Sequence, residues 1–314
     1  MSSCPACGQA DLLRGSQSVD LAETLAGWEA ATQARFPARL WERCRKRGRT
    51  VLHTCPACRF ARFEPVVAGD TDFYSAIETD GYYNAEKWEF ERAIRYIIRS
   101  GARSVLDVGC GSGHFLAALR NAAPGLRIVG SELESSVLAD VRAKGFETME
   151  GDLGSVACSP ERFDIVCAFQ TLEHVEDPVR FLSCFLSLVA PGGRVILSTP
   201  DADGPIRHFP DALTEVPPHH VTRWTGDAFQ ALLPALGFEV LTVERESLPA
   251  YLLDAYLPIA WDEGCWPADI LNPLAEALGE SALAFGSECI REAKLPRLYG
   301  VSGHTILVIG RRGS

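Results

Sequence analysis

The chain has 314 residues, 41 acidic against 30 basic side chains, a formal net charge of −11 and 47% apolar residues, enough for one large core with an appendage or for two domains. No apolar run approaches the roughly 18 residues of a membrane span, and the negative balance argues against nucleic acid as a general partner. Eleven cysteines behind an N-terminus with no basic-then-apolar leader point to a reducing, cytoplasmic setting rather than to disulfides.

Taken in chain order, the first signal is a repeated tetrapeptide, Cys4-Pro-Ala-Cys7 and Cys55-Pro-Ala-Cys58. Each C-x-x-C makes a tight knuckle that aims two thiolates at one ion, and two knuckles complete a closed, structural Zn²⁺ site of four cysteines. The 47 residues between them exceed the roughly 15–20 of a compact ribbon. A helical segment over about 20–47, with Trp28 and Trp41, must therefore loop out. Cys44 is read as incidental to the ion. The basic cluster between Arg35 and Arg49 (Arg39, Arg43, Arg45, Lys46, Arg47) is read as a solvated helix face, with a guide for a phosphorylated or carrier-bound substrate as the sharper alternative. Residues 1–66 form this zinc-binding appendage.

From 67 to 314 the pattern changes. An aromatic loop at Asp80-Gly-Tyr-Tyr-Asn84 leads into an amphipathic helix with Phe90, Ile94, Ile97 and Ile98 at helical spacing. Strands then alternate with helices. Strands are predicted at 103–108, 126–131, 146–150, 163–169, 193–199, 238–245 and 304–310, and helices near 114–122, 135–143, 178–189 and 225–236. Such alternation predicts an α/β fold, a doubly wound, seven-stranded, mostly parallel sheet with a binding crevice at the strand carboxyl ends. Two insertions interrupt it, a helix-poor stretch with five prolines at about 200–224 and a longer one at about 247–303. The second is suited either to cover a pocket or to build a homodimer interface.

The most informative stretch is Val105-Leu-Asp-Val-Gly-Cys-Gly-Ser-Gly-His-Phe115. A strand runs through Asp107 into a loop with glycine at 109, 111 and 113, and a helix starts at once, so backbone N–H groups can approach a ligand with no Cβ in the way. Glu132 lies 23 residues beyond Gly109, at the end of the next strand, where an acid grips a ribose diol. A further acid, Asp152, follows the third strand. With Phe163-Asp-Ile-Val-Cys-Ala-Phe169, Leu172-Glu-His-Val-Glu-Asp-Pro178 and Ala190-Pro-Gly-Gly-Arg-Val-Ile-Leu197, the combination resembles the class I S-adenosylmethionine-dependent methyltransferases over roughly residues 80–245. A nicotinamide dinucleotide enzyme ranks lower, because G-x-G-x-x-G is incomplete here.

That resemblance implies a cofactor, S-adenosylmethionine, and places residues around it. Asp107, Gly109 and Gly111 approach its amino-acid end, with Gly113 closing the turn. Glu132, with Leu133 beside it, takes the ribose hydroxyls. Asp152 and Leu153 lie at the adenine, and Gln170 lies beside the sulfonium. Tyr82 and Tyr83 sit on a loop that folds over the cofactor in such enzymes. The Asn/Asp-Pro-Pro-Tyr/Phe clamp for planar amines is missing, since Gln170-Thr-Leu-Glu173 stands in its place. The acceptor is therefore expected to be a small molecule, with nucleotide- or carrier-linked sugars and natural-product intermediates as the preferred classes. Three histidines compete as general base: His174, and the pair His219 and His220 in Pro217-Pro-His-His-Val-Thr-Arg-Trp224. The competing reading of that pair is structural, with one ring bonded to a backbone carbonyl and the other packed beneath Trp224. Asp211 and Glu215 rank low. Two other function classes stay open: a zinc-ribbon RNA methyltransferase, and a module that binds the cofactor without catalysis.

Overall fold

The computed structural model describes residues 3–10, 12–77, 87–262 and 297–313. The N-terminal part holds β1 (Leu13–Asp20), α1 (Leu21–Ala31), α2 (Ala38–Arg47), β2 (Arg49–Thr54), β3 (Ala61–Glu64) and α3 (Thr71–Ile77). Asp20 starts α1 by accepting hydrogen bonds from the N–H groups of Ala22 and Glu23, which satisfies donors the helix itself cannot pair. Leu21, Leu25 and Trp28 of α1, Leu40 and Cys44 of α2, and Phe36, Phe73 and Ile77 close a small core of their own. The looped-out helical segment is thus a helical hairpin. Cys44 is buried in it, apart from the knuckle sulfurs.

The remaining elements are α4 (Trp88–Ser100), β4 (Ser104–Val108), α5 (His114–Ala122), β5 (Arg127–Glu132), α6 (Ser135–Ala143), β6 (Glu147–Glu150), α7 (Leu153–Ala157), β7 (Phe163–Phe169), α8 (Pro178–Ser187), β8 (Val189–Pro200), β9 (Thr222–Arg223), α9 (Gly226–Ala235), β10 (Phe238–Pro249), α10 (Leu253–Asp262) and β11 (Arg297–Arg312). Seven strands form one sheet in the order β10-β11-β8-β7-β4-β5-β6. The pairs among β8, β7, β4, β5 and β6 are parallel, and β11 is antiparallel to both neighbours. This is a Rossmann-like methyltransferase fold, as the strand and helix spacing leads one to expect.

Buried strand residues alternate between two cores because successive side chains leave a strand on opposite faces. Val166 and Ala168 of β7 join Leu182, Phe185, Phe229 and Leu233 of α8 and α9 on one face. Ile165, Cys167 and Phe169 join Ala93, Ile97, Phe115, Leu119, Leu138 and Val141 of α4, α5 and α6 on the other. The β10–β11 hairpin runs further than the expected strands 238–245 and 304–310. Its ladder continues through Ser247↔Ser302, Leu248↔Leu298 and Pro249↔Arg297, so the ends of the 247–303 insertion are sheet. Residues 263–296 of that insertion lie outside the described residues, with Cys265 and Cys289.

The first proline-rich insertion holds only short 3₁₀ turns, Pro205–His208 and Leu213–Glu215, before β9. β9 is the fourth strand of a second sheet, ordered β1-β2-β3-β9, through Ala61↔Arg223 and Arg62↔Thr222. Cys4, Cys55, Cys58 and Phe60 share the core of α8 and α9. The N-terminal sheet and the large sheet are therefore held by one continuous apolar packing, and β9, which follows β8 in the chain, completes the N-terminal sheet.

Candidate active site

The large sheet changes direction of winding at β4, whose neighbours β5 and β7 lead to opposite edges, and the glycine loop leaves β4 at this point. Gly109, Gly111 and Gly113 all have positive φ (75°, 48° and 81°). At Gly109 a Cβ would stand 2.8 Å from Thr171 Oγ1, so the position demands glycine on both counts. Glu132 holds the loop from the next strand: Oε2 accepts from Gly111 N at 2.9 Å and Oε1 from Leu133 N at 2.8 Å. Asp107 is buried, and its Oδ1 has no hydrogen-bond partner among the described residues. Burial, reinforced by the Glu132 carboxylate, pushes its pKa well above the usual range. A buried acceptor without a donor is costly unless a ligand supplies one.

Asp152 caps α7 by accepting from Ser155 N at 2.7 Å, and this bond lowers its pKa. Leu153 opens the same helix. Gln170, just past β7, adopts a positive φ of 50° and donates from Nε2 to Glu89 Oε1 at 3.2 Å. A non-glycine residue in this region is a local strain of the kind found at functional sites. Asp107, Gly109, Gly111, Glu132, Leu133, Asp152, Leu153 and Gln170 all line one cavity of about 690 Å³. Gly113 sits behind them as the residue that starts α5. Tyr82 and Tyr83 lie outside the described residues.

The other end of the same cavity is lined by His174, His219, His220 and His304 with Glu173, Glu215 and Tyr74. The three candidate bases are together, with ring centroids 4.5 Å apart for His219–His220, 4.7 Å for His174–His219 and 4.8 Å for His174–His220. One ring of the histidine pair meets a backbone carbonyl and the other a carboxyl group. His219 Nδ1 meets Thr214 O at 2.9 Å, while His220, also near the Trp224 side, meets the Glu215 carboxylate at 3.2 Å. Yet both rings also line the open cavity. Burial pushes the pKa of His174 and His220 well below the ordinary imidazole value and that of His219 to about 3, which keeps all three rings neutral. Glu173 is 1% exposed, and neither carboxyl oxygen has a hydrogen-bond partner among the described residues. Burial raises its pKa to about 8.

Several cavity residues carry little sequence signal. Glu173 stands inside the Leu-Glu-His-Val motif, which the resemblance marks as a loop next to the site, and nothing in the spacing of Glu215 singles it out. Tyr74, whose hydroxyl lies 2.9 Å from His174 Nδ1, comes from α3 in the N-terminal part, and His304 comes from β11. The basic cluster is partly paired within the chain: Arg39 with Asp72, Arg43 with Asp70 and Arg49 with Asp20, while Arg45 stacks over Trp41 at 5.0 Å.

At the two knuckles, Cys4 Sγ lies 3.6 Å from Cys58 Sγ and Cys7 Sγ 3.5 Å from Cys55 Sγ, with all four sulfurs within 4.8 Å of one another. Burial raises the Cys4 thiol to about 11. Burial works against Cys55 as well, but the N–H groups of Cys58 and Ala57 draw it down to about 7.

Residues 33–243 match the family profile of a methyltransferase domain. The chain belongs to that family. Among relatives, 144 residues are 30% identical to a probable S-adenosylmethionine-dependent methyltransferase of Mycolicibacterium smegmatis, spanning 45% of this chain and 54% of that protein. Another 113-residue match, 36% identical, is to a ubiquinone biosynthesis O-methyltransferase of Azotobacter vinelandii, spanning 32% of this chain and 46% of that protein. The chain thus spans about half the length of these curated relatives. Among solved structures, a magnesium protoporphyrin IX methyltransferase from Synechocystis with bound SAH is similar at a TM-score of 0.48 and 16% identity, covering 76% of this chain and 93% of that one.

Proposed function

We propose that this protein transfers a methyl group from S-adenosylmethionine to a small-molecule acceptor. The observation that carries the reading is the continuity of one cavity from Asp107, the glycine loop and Glu132 to the neutral histidines and Glu173. The residues present fit the cofactor: the unpartnered Asp107 Oδ1 suits its ammonium group, and the glycine loop and Glu132 border the same cavity. When bound, the cofactor supplies a methyl on a sulfonium whose sulfur leaves with the bonding electron pair as a neutral thioether. Glu132 would take the ribose hydroxyls while its oxygens keep their bonds to the loop, since a carboxylate oxygen accepts more than one hydrogen bond. Asp152 and Leu153 would flank the adenine, and the strained Gln170 would border the transferred group.

At the acceptor end, a neutral imidazole offers a ring-nitrogen lone pair to the acceptor's proton, although the same burial makes it a weaker base than a free imidazole. In the ion-free pocket we assign that proton to His219 or His220. The burial of these rings favours a small acceptor over a polymer, with nucleotide- or carrier-linked sugars and natural-product intermediates as the class to screen. We further propose that the four knuckle sulfurs hold a structural Zn²⁺. The chemistry of the set supports it, four thiols converging on one point.

Calorimetry with S-adenosylmethionine and S-adenosylhomocysteine tests the cofactor half, and absence of binding by the folded protein would end the reading. An acceptor screen followed by His219→Ala and His220→Ala tests the base. Unchanged turnover in the double variant would remove the histidines from that role.

A further inference from the structure

The histidine cluster carries more than a base. One ring nitrogen from each of His174, His219 and His220 lies within 4.8 Å of those of the other two. Tetrahedral coordination at about 2.0–2.1 Å sets nitrogens roughly 3.4 Å apart, so small ring movements would close the set on one ion. Each ring also meets one requirement of a metal-ligating histidine, an oxygen partner for one of its two nitrogens. His174 Nδ1 donates to His219 O at 2.8 Å, His219 Nδ1 to Thr214 O at 2.9 Å, and His220 Nδ1 faces Glu215 Oε2 at 3.2 Å. A proton held on Nδ1 by a carbonyl or carboxylate puts the lone pair on Nε2, the tautomer a cation needs.

A second observation points to a cation independently. Glu173 is buried beside the cluster, its Oε1 4.0 Å from His174 Nε2, with neither oxygen bonded among the described residues. Three imidazoles and a carboxyl group that a bound cation would ionise are a donor set for borderline divalent transition ions, whereas magnesium and calcium take oxygen-rich sets.

We propose that His174, His219 and His220 form a second metal site, separate from the cysteine knuckles, that binds a divalent transition ion of the zinc class with Glu173 balancing its charge. Three protein nitrogens leave a coordination position open toward the cavity, where an acceptor oxygen or nitrogen would dock. The site's existence does not depend on the methyl-transfer reading. Its use does, because an ion on Nε2 occupies the lone pairs assigned above to proton removal, and the histidines would then act on the acceptor through the ion.

The test is a cobalt(II) titration of tag-free, metal-stripped protein, with metal content measured in parallel. Two equivalents are expected. One carries the intense thiolate-to-cobalt absorption of the knuckles, and the other shows only ligand-field bands of nitrogen and oxygen donors. His219→Gln/His220→Gln is expected to bind one equivalent and keep the thiolate band, which also reports that the variant is folded. Should that variant lose the thiolate band, Glu215→Gln replaces it. Loss of the partner that orients His220 is expected to weaken the second equivalent about 10–100-fold and leave the first unchanged. A plateau at one equivalent in the wild type, or a second equivalent unaffected by these substitutions, overturns the proposal. Neither result bears on cofactor binding, which calorimetry reads separately.

Discussion

Replacing Glu132 by alanine gives the sharpest test of the cofactor geometry. In the structure its two oxygens each accept one backbone N–H, from Gly111 at 2.9 Å and from Leu133 at 2.8 Å, and it lines the cavity at the end of β5. A ribose diol on this carboxylate would add two charge-assisted hydrogen bonds, each about 1.5–3 kcal/mol. Because Glu132 is only half-buried, the low end applies, about 3 kcal/mol for the pair, which is roughly 150-fold in Kd. Water can take over the two loop N–H groups that the truncation leaves without a carboxylate, so the loop itself adds little to that figure. Calorimetric titration of S-adenosylhomocysteine into Glu132→Ala should therefore show binding weakened by about two orders of magnitude. Glu132→Gln, which keeps one carbonyl acceptor, should fall in between. An unchanged Kd in a folded Glu132→Ala protein would mean that the sugar is held elsewhere, and the crevice assignment would fail with it.

Three further outcomes are expected. With Zn²⁺ on the four cysteines as proposed, a chelator should remove several kcal/mol and, at about 2 °C per kcal/mol for a chain of this size, lower Tm by roughly 10 °C in a thermal scan. Phe229→Ala empties a fully buried site stacked on Trp224 at a centroid distance of 4.9 Å, and should cost about 3–5 kcal/mol in denaturant unfolding. Glu246 is 5% exposed, and burial, aided by Glu89, raises its pKa from 4.5 to about 7. The folded state then binds a proton that the unfolded state releases, so this group's stabilisation is present at low pH and declines as pH rises from about 4.5 through 7, by at most about 3 kcal/mol. Glu246→Gln should flatten that part of the Tm–pH curve, and a variant with an undiminished decline would show that another group is responsible.

The placement of these sites explains why the two ends of the cavity are unequally legible in the sequence. The glycine loop, Asp107 and Glu132 belong to consecutive strand–turn–helix units, so short sequence spacing dictates their spatial relation. The central parallel strands β4, β5, β7 and β8 are legible for the same reason, since buried parallel strands are near-continuous apolar runs with turn residues between them. The strands of the smaller sheet are not. Leu13–Asp20 reads Leu-Arg-Gly-Ser-Gln-Ser-Val-Asp, with apolar side chains only at Leu13 and Val19, so it has no apolar periodicity to detect. β9 is two residues long and exists only because β3 offers it a partner.

The cysteine knuckles show both sides at once. Their internal spacing announces paired thiolates, but that Cys58 O accepts a hydrogen bond from Thr225 Oγ1 at 2.7 Å, the residue that caps α9, is a matter of packing across 167 positions. The histidine cluster is the fuller case. Sequence marks His174, His219 and His220 as separate candidates, and only the fold brings them, with Tyr74 and Glu173, to one point. Local pattern is written by the period of helix and strand. Contacts between residues a hundred positions apart, such as Tyr74 with His174, depend on how whole layers dock, and the apolar side chains that dock them carry no mark of their distant partners.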